Sequence, residues 1–343
     1  MKRNGFTLIE LLVVIVILGY VLSQVYSLFP LLAFNQERAY IEKSFESSRG
    51  VGLGILKTAN ESTGRLVEPF NGTAAGKTLA YAPVSPVGTD PDSLSLIQNI
   101  QGSGVTGEKI FSDGSFSLNV RVYQRVPNLT KSLPIRGISG DTVNVTYDVG
   151  VVYQTQCPQA SPCNSSASGA IPGASPIMTS LNYATWITTP PDMEPFFFST
   201  LDYQKRLLDL TMDNISVIIR RIQNDYAYRS ISSAPNDITN FYMGPNNTGA
   251  PNLSGIANSL TNEGCYDGWY ELGSLNVNLL ERYGLNRSAY GKTLWGGALE
   301  YCRDFDPINS GKNTLPHSAA IRFNKNVTAG NPTVTGQNIV IAF

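Results

Sequence analysis

Gly5-Phe6-Thr7-Leu8-Ile9-Glu10 opens the stretch that decides how this chain is built. From Phe6 to Phe34 the sequence is dominated by apolar residues and carries a single charge, Glu10; ahead of it stands a short basic leader, Met1-Lys2-Arg3-Asn4-Gly5. As a helix, residues 6–34 would be about 43 Å long, against a hydrocarbon core of about 30 Å. The excess predicts a helix that crosses a membrane and goes on as a stalk. The sequence after it keeps a helical pattern: Ile41, Phe45 and Ser48 share one stripe, and Arg38 and Glu42 sit four apart, where opposite charges pair. A helix is therefore expected over 6–58, with 6–34 its membrane part. Gly19 and Pro30 should weaken it, because proline lacks the backbone donor. An ionisable residue inside such a segment costs a few kcal/mol and implies a partner. Cleavage after Gly5 would supply one, a positive amine at Phe6.

The Lys2-Arg3 leader, Gly5, Phe6, the Thr7-Leu8-Ile9 core and Glu10 together resemble the class III signal of type IV prepilins and type II secretion pseudopilins. That resemblance implies a prepilin peptidase that cuts between Gly5 and Phe6 and N-methylates Phe6. It also implies assembly through amino-terminal helices, with Glu10 of one subunit meeting the Phe6 amine of the next. A charge left alone in low dielectric is costly, so this pairing would fix the axial register. The family architecture is one long helix laid on an antiparallel sheet, and the stretch around Pro30 often melts in packed filaments. This chain departs from the pattern in its length and in a proline a few positions late. An ordinary secretory signal would need small residues at a cleavage site after the apolar region, and none stands there. Lys2 and Arg3 hold the leader in the cytoplasm and send the remainder outward.

Composition bounds the remainder. With 25 Lys+Arg, 26 Asp+Glu and a formal net charge of −1, the chain lacks the basic balance of a nucleic-acid surface. Charged residues make up 15%, with 31 Gly and 20 Pro, which fits a loop-rich, β-rich exported protein. Beyond residue 58 enough of the 343 residues remain for two domains of ordinary size. Four cysteines in an exported chain point to two disulfides. Of the three connectivities, proximity favours Cys157–Cys163 and Cys265–Cys302, the latter worth about 4 kcal/mol on the chain-entropy model.

Two blocks follow the helix. In the first, residues 59–156, Phe116 to Val122 and Val143 to Tyr153 alternate apolar with polar positions, the period of half-buried antiparallel strands, and Lys77 to Val84 adds another candidate. Residues 157–197 are a connection rich in Pro, Ser and Gly. The second block, 198–343, opens with an amphipathic helix expected over 200–228, whose stripe is Leu201, Leu208, Met212, Ile215, Ile219, Ile222 and Tyr226. Strand-like pieces follow at 295–302, 318–323 and 338–343. The fold class expected is α+β: a pilin-like helix on an antiparallel sheet, then a second α+β block. Helix then sheet, twice, suggests a second pilin-like unit, with Leu294-Trp295-Gly296-Gly297 loosely like the tryptophan-glycine stretch of pseudopilins; an unrelated α+β domain is the equal alternative.

Catalytic chemistry finds little footing. His317 is the only histidine and reads as a surface loop or edge-strand residue, so neither a two-histidine metal site nor a serine triad can be assembled. Asp304, Asp306 and Asn309, and separately Asp90 and Asp92, carry the oxygen ligands calcium takes, without an EF-hand spacing; solvated turns are the preferred reading. Phe196-Phe197-Phe198 reads as an inter-domain or helix-packing core. Asn71, Asn128, Asn144 and Asn252 head Asn-x-Ser/Thr triplets. No enzyme is expected, and no cofactor. The reading is a structural subunit, a large minor pilin or pseudopilin, anchored in the inner membrane and then displayed in an extracellular or periplasmic filament. Its partners would be other pilins, the prepilin peptidase, the inner-membrane assembly platform and an extracellular ligand of unassigned kind. The alternatives are a major pilin of unusual size, or a membrane-anchored adhesin or DNA-uptake binding protein.

Overall fold

The computed structural model describes residues 8–62, 64–67, 79–82, 119–136, 140–156, 178–186, 194–234, 237–244, 263–266, 268–308, 315–327, 332 and 336–343. Helix α1 runs over Leu8–Ser62, 55 residues or about 82 Å. It continues through Gly19 and Pro30, so the expected break at the proline is absent. One proline removes one ladder bond, and the leucine-rich turns on both sides carry the helix across it. Gly64, with φ +69°, turns the chain away just beyond the helix end.

By contact the chain divides into two units: 1–61, 66–126 and 149–198 form the first, and 62–65, 127–148 and 199–343 the second. The first sheet has the order β1-β2-β3-β4, made of β1 (Leu79–Ala82), β2 (Asn119–Pro134), β3 (Thr142–Gln156) and β4 (Phe196–Ser199). β1 pairs antiparallel with β2, with Tyr81 opposite Val122. In the first unit, Val51, Ile55 and Ala59 recur every four residues and so share one face of α1. That face is buried with Leu66, Tyr123 of β2, Val152 of β3 and Phe198 of β4. The helix does lie on the sheet.

The three phenylalanines of β4 divide as strand geometry requires, alternate side chains taking opposite faces. Phe196 and Phe198 stack on the helix side, centroids 5.9 Å apart. Phe197 turns the other way, edge-on to Trp186 at 5.9 Å. Glycines let the rings in: a Cβ on Gly52 would sit 2.5 Å from Phe196, and one on Gly150 would sit 2.6 Å from Phe198.

In the second unit, α2 (Leu201–Ile231) buries Leu208, Ile215, Ile218 and Ile222, while Leu201, Met212, Ile219 and Tyr226 pack at the edges of the same core. It faces a second sheet of order β5-β6-β7-β8, antiparallel throughout: β5 (Tyr270–Glu271), β6 (Glu300–Cys302), β7 (Ala320–Asn324) and β8 (Asn338–Ala342). Tyr301, Ile321, Phe323 and Ile339 supply the sheet's side of that core, and Leu133, Val143 and Val145 join it. Two short helices, α3 (Leu279–Arg282) and α4 (Arg287–Tyr290), sit between β5 and β6 in the chain.

Asp148 organises the start of α2. Its buried carboxylate accepts from Arg65 at 2.9 Å and from the Asn128 backbone N–H at 3.0 Å, where Asn128 has φ +61°. Its own N–H donates to Thr200 Oγ1 at 2.9 Å, and Thr200 N–H returns a bond to the Asp148 carbonyl. Asp148→Ala should cost about 2 kcal/mol, since a buried N–H loses its acceptor while the partly exposed Arg65 is rehydrated. Denaturant titration of the full chain checks it.

Gly291 and Gly273 meet back to back. A Cβ on Gly291 would lie 2.6 Å from the Gly273 Cα and 2.6 Å from the Arg287 carbonyl, both backbone. Neither can swing aside as a side chain could. Gly291→Ala should destabilise the second unit by about 3 kcal/mol, as overpacking does, and lower its thermal midpoint in calorimetry.

Candidate functional site

The first half of α1 has no tertiary face. From Ile9 to Phe34 its large apolar side chains, where described, are between 42% (Val25) and 75% (Tyr26) exposed. Residues 11–18 are all exposed in succession, so apolar surface covers every side of the rod. An amphipathic surface helix would show one covered stripe. A contiguous apolar patch this large on a folded chain marks an interaction surface. Among the described residues, no helix is long and apolar enough to cross a membrane. The described side chains run unbroken only over 11–26, short of the about twenty residues that a span takes.

The second unit holds the polar clusters. Arg322 of β7 is fully buried and lies opposite Glu300 of β6 in the ladder. Its Nε donates to Glu300 Oε2 at 2.7 Å and its NH1 to Glu263 Oε2 at 2.9 Å. The guanidinium also lies over the Trp269 ring, 4.4 Å from the centroid. Burial pushes the Glu300 carboxyl above the ordinary glutamate range, and the Arg322 charge and hydrogen bond offset part of that rise. Glu263 further accepts from Gly336 N–H and Asn338 Nδ2, both at 2.7 Å. Beside this cluster Cys265 and Cys302 form a disulfide, Cα atoms 5.9 Å apart.

Asp304 is also buried, taking bonds from Asn240 and Arg303. His317 lies within 3.9 Å of it and hydrogen-bonds the Ile238 carbonyl through Nε2 at 3.0 Å. The surface reading of His317 is thus corrected: its ring is enclosed by the segment that returns after α2. Among the described residues no group of three or more His, Cys, Asp or Glu could hold a metal ion. Asp304 spends its oxygens on protein donors, and Asp306 accepts from Ile308 N–H. Asn309, Asp90 and Asp92 lie outside the described residues.

The sequence carries the remaining decision. Residues 1–23 match the prokaryotic N-terminal methylation motif. This is the class III prepilin signal of type IV pilins and pseudopilins. No curated protein and no solved structure is significantly similar to the chain.

The methylation motif covers Gly5, Phe6 and Glu10. Gly5 and Phe6 lie outside the described residues, and Glu10 sits in the second described turn's approach, on α1. The motif therefore leads directly into the rod that is apolar all round. Cys157 and Cys163, and Asn71 and Asn252, also lie outside the described residues. Asn128 and Asn144 are exposed, the latter accepting from Ser132 Oγ at 2.6 Å. The tryptophan-glycine run forms a tight turn with Gly296 at φ +85°, and Trp295 Nε1 donates to Gln204 Oε1 of α2 at 2.7 Å. Sequence reading missed Arg322, Glu300 and Glu263 entirely. Their only cue was a charged residue inside Ala319-Ala320-Ile321-Arg322-Phe323, an otherwise apolar strand.

Proposed function

We propose that this chain is a structural filament subunit, a large minor pilin or pseudopilin, of a type IV pilus or a type II secretion-like filament. The observation that supports it most is the conjunction of the methylation motif with a helix exposed and apolar on every side. Such a helix needs lipid before assembly and other helices after it. A peptidase cut after Gly5 leaves Phe6 as the new terminus, and the inner membrane holds residues 6–34 until the assembly platform extracts them. One heterologous contact between such helices, repeated by rotation and rise, generates an open filament. Glu10 pairs with the Phe6 amine of the neighbouring subunit. The helix on a four-stranded antiparallel sheet in the second unit supports reading that unit as a second pilin-like module without a membrane half.

Mass spectrometry of the chain recovered from sheared filaments or the envelope tests this reading. The expected product begins at N-methylated Phe6. A product that retains Met1 overturns it.

A further inference from the structure

Glu263-x-Cys265 and Glu300-x-Cys302 repeat one spacing: each carboxylate that holds Arg322 stands two residues before a half-cystine. The two arms are not held alike. Glu300 and Cys302 project from one face of β6, as residues two apart in a strand do, opposite Arg322 and Ala320. The β6–β7 register alone therefore brings Glu300 to Arg322. Glu263 belongs to no strand and has φ +50°, a backbone conformation that a glutamate rarely keeps without external restraint. The disulfide two residues on is its covalent tie to the sheet. Both sulfurs are fully buried, with Trp269 and Ala320 in the same small cluster. Glu263 then fastens Arg322 of β7 and the approach to β8 at Gly336 and Asn338.

We propose that the Cys265–Cys302 disulfide and the Arg322 carboxylate cluster act as one thiol-gated latch, in which oxidation delivers Glu263 to Arg322 and closes the second unit. In the closing step the two thiols lose two protons and two electrons to a disulfide oxidant, which leaves as a dithiol, by thiol–disulfide exchange. The dithiol chain keeps the Glu300–Arg322 pair but holds Glu263 loosely. The latch closes wherever the compartment is oxidising. Only its timing relative to export depends on the filament reading; the latch itself does not.

Coupling is the test, on the full chain in detergent micelles. Reduction by dithiothreitol is followed at Cys265 and Cys302 by thiol labelling and peptide mapping. Because the sulfurs are buried, the rate reports local opening. Glu263→Gln should open the disulfide about tenfold faster or more, since a latch missing one arm loses a charge-assisted bond. Ile215→Ala, on the helix side of the sheet, is the control, compared at a temperature offset that matches the two thermal midpoints. A Glu263→Gln rate no greater than the control's overturns the proposal. Where a Cys265→Ala/Cys302→Ala chain folds, Glu263→Gln should no longer lower its thermal midpoint. An equal lowering with and without the disulfide also overturns it. Where that chain does not fold, the reduction rates decide alone.

Discussion

Arg322→Met is expected to destabilise the second unit by about 3–5 kcal/mol, the range found when one partner of a buried ion pair is removed. The side chain is wholly enclosed, and its loss leaves Glu263 and Glu300 facing each other without a cation. Denaturation followed by tryptophan fluorescence reads this directly, because Trp269 stacks on the guanidinium. Adding Glu263→Gln and Glu300→Gln to Arg322→Met should restore much of the loss, since no buried charge then remains unpaired. A loss that persists in the triple variant would assign the effect to packing instead. The pH dependence has a defined sign. Burial raises the folded-state value of Glu300, so the native chain holds that proton over a range where the unfolded chain has released it. Stability should therefore fall as pH rises from the ordinary glutamate range to the raised value. Glu300→Gln should flatten that slope.

Glu10→Ala is expected to lower incorporation into filaments by more than tenfold while leaving the melting of both units unchanged. Tenfold corresponds to about 1.4 kcal/mol, less than the cost of leaving a neighbour's ammonium without a counter-charge in an apolar helix stack. Quantifying the variant against the native subunit in sheared filaments gives the ratio. Equal incorporation would remove the axial-register role from Glu10. Glu10→Asp separates charge from reach, because it keeps the carboxylate and shortens its arm by one methylene.

How far the residues alone announced this structure depended on the range of the interactions. The apolar run after Glu10 and the stripe from Leu208 to Ile222 are local periodicities, and both became helices, as the α+β class required. β3 followed its alternation from Val143 to Tyr153. β2 runs on to Pro134, beyond the alternation that ended at Val122, because Pro127 and Asn128 read as turn residues. Asn128 keeps its left-handed backbone there through Asp148, twenty residues away, which a local pattern cannot register. The Arg322 cluster failed for the same reason on a larger scale. Its carboxylates come from 22 and 59 residues away, and a lone arginine in a strand looks like an outward one. β5, two residues long, is too short to leave any periodic trace.

The uncovered rod of α1 also fixes how the purified molecule behaves in water. With greasy surface at one end of the sequence and ordinary polar folds after it, the chain is built like a detergent. Above a threshold concentration its rods should cluster into micelle-like particles, which added surfactant disperses into single chains. Light scattering with and without surfactant would show this before any filament machinery is present.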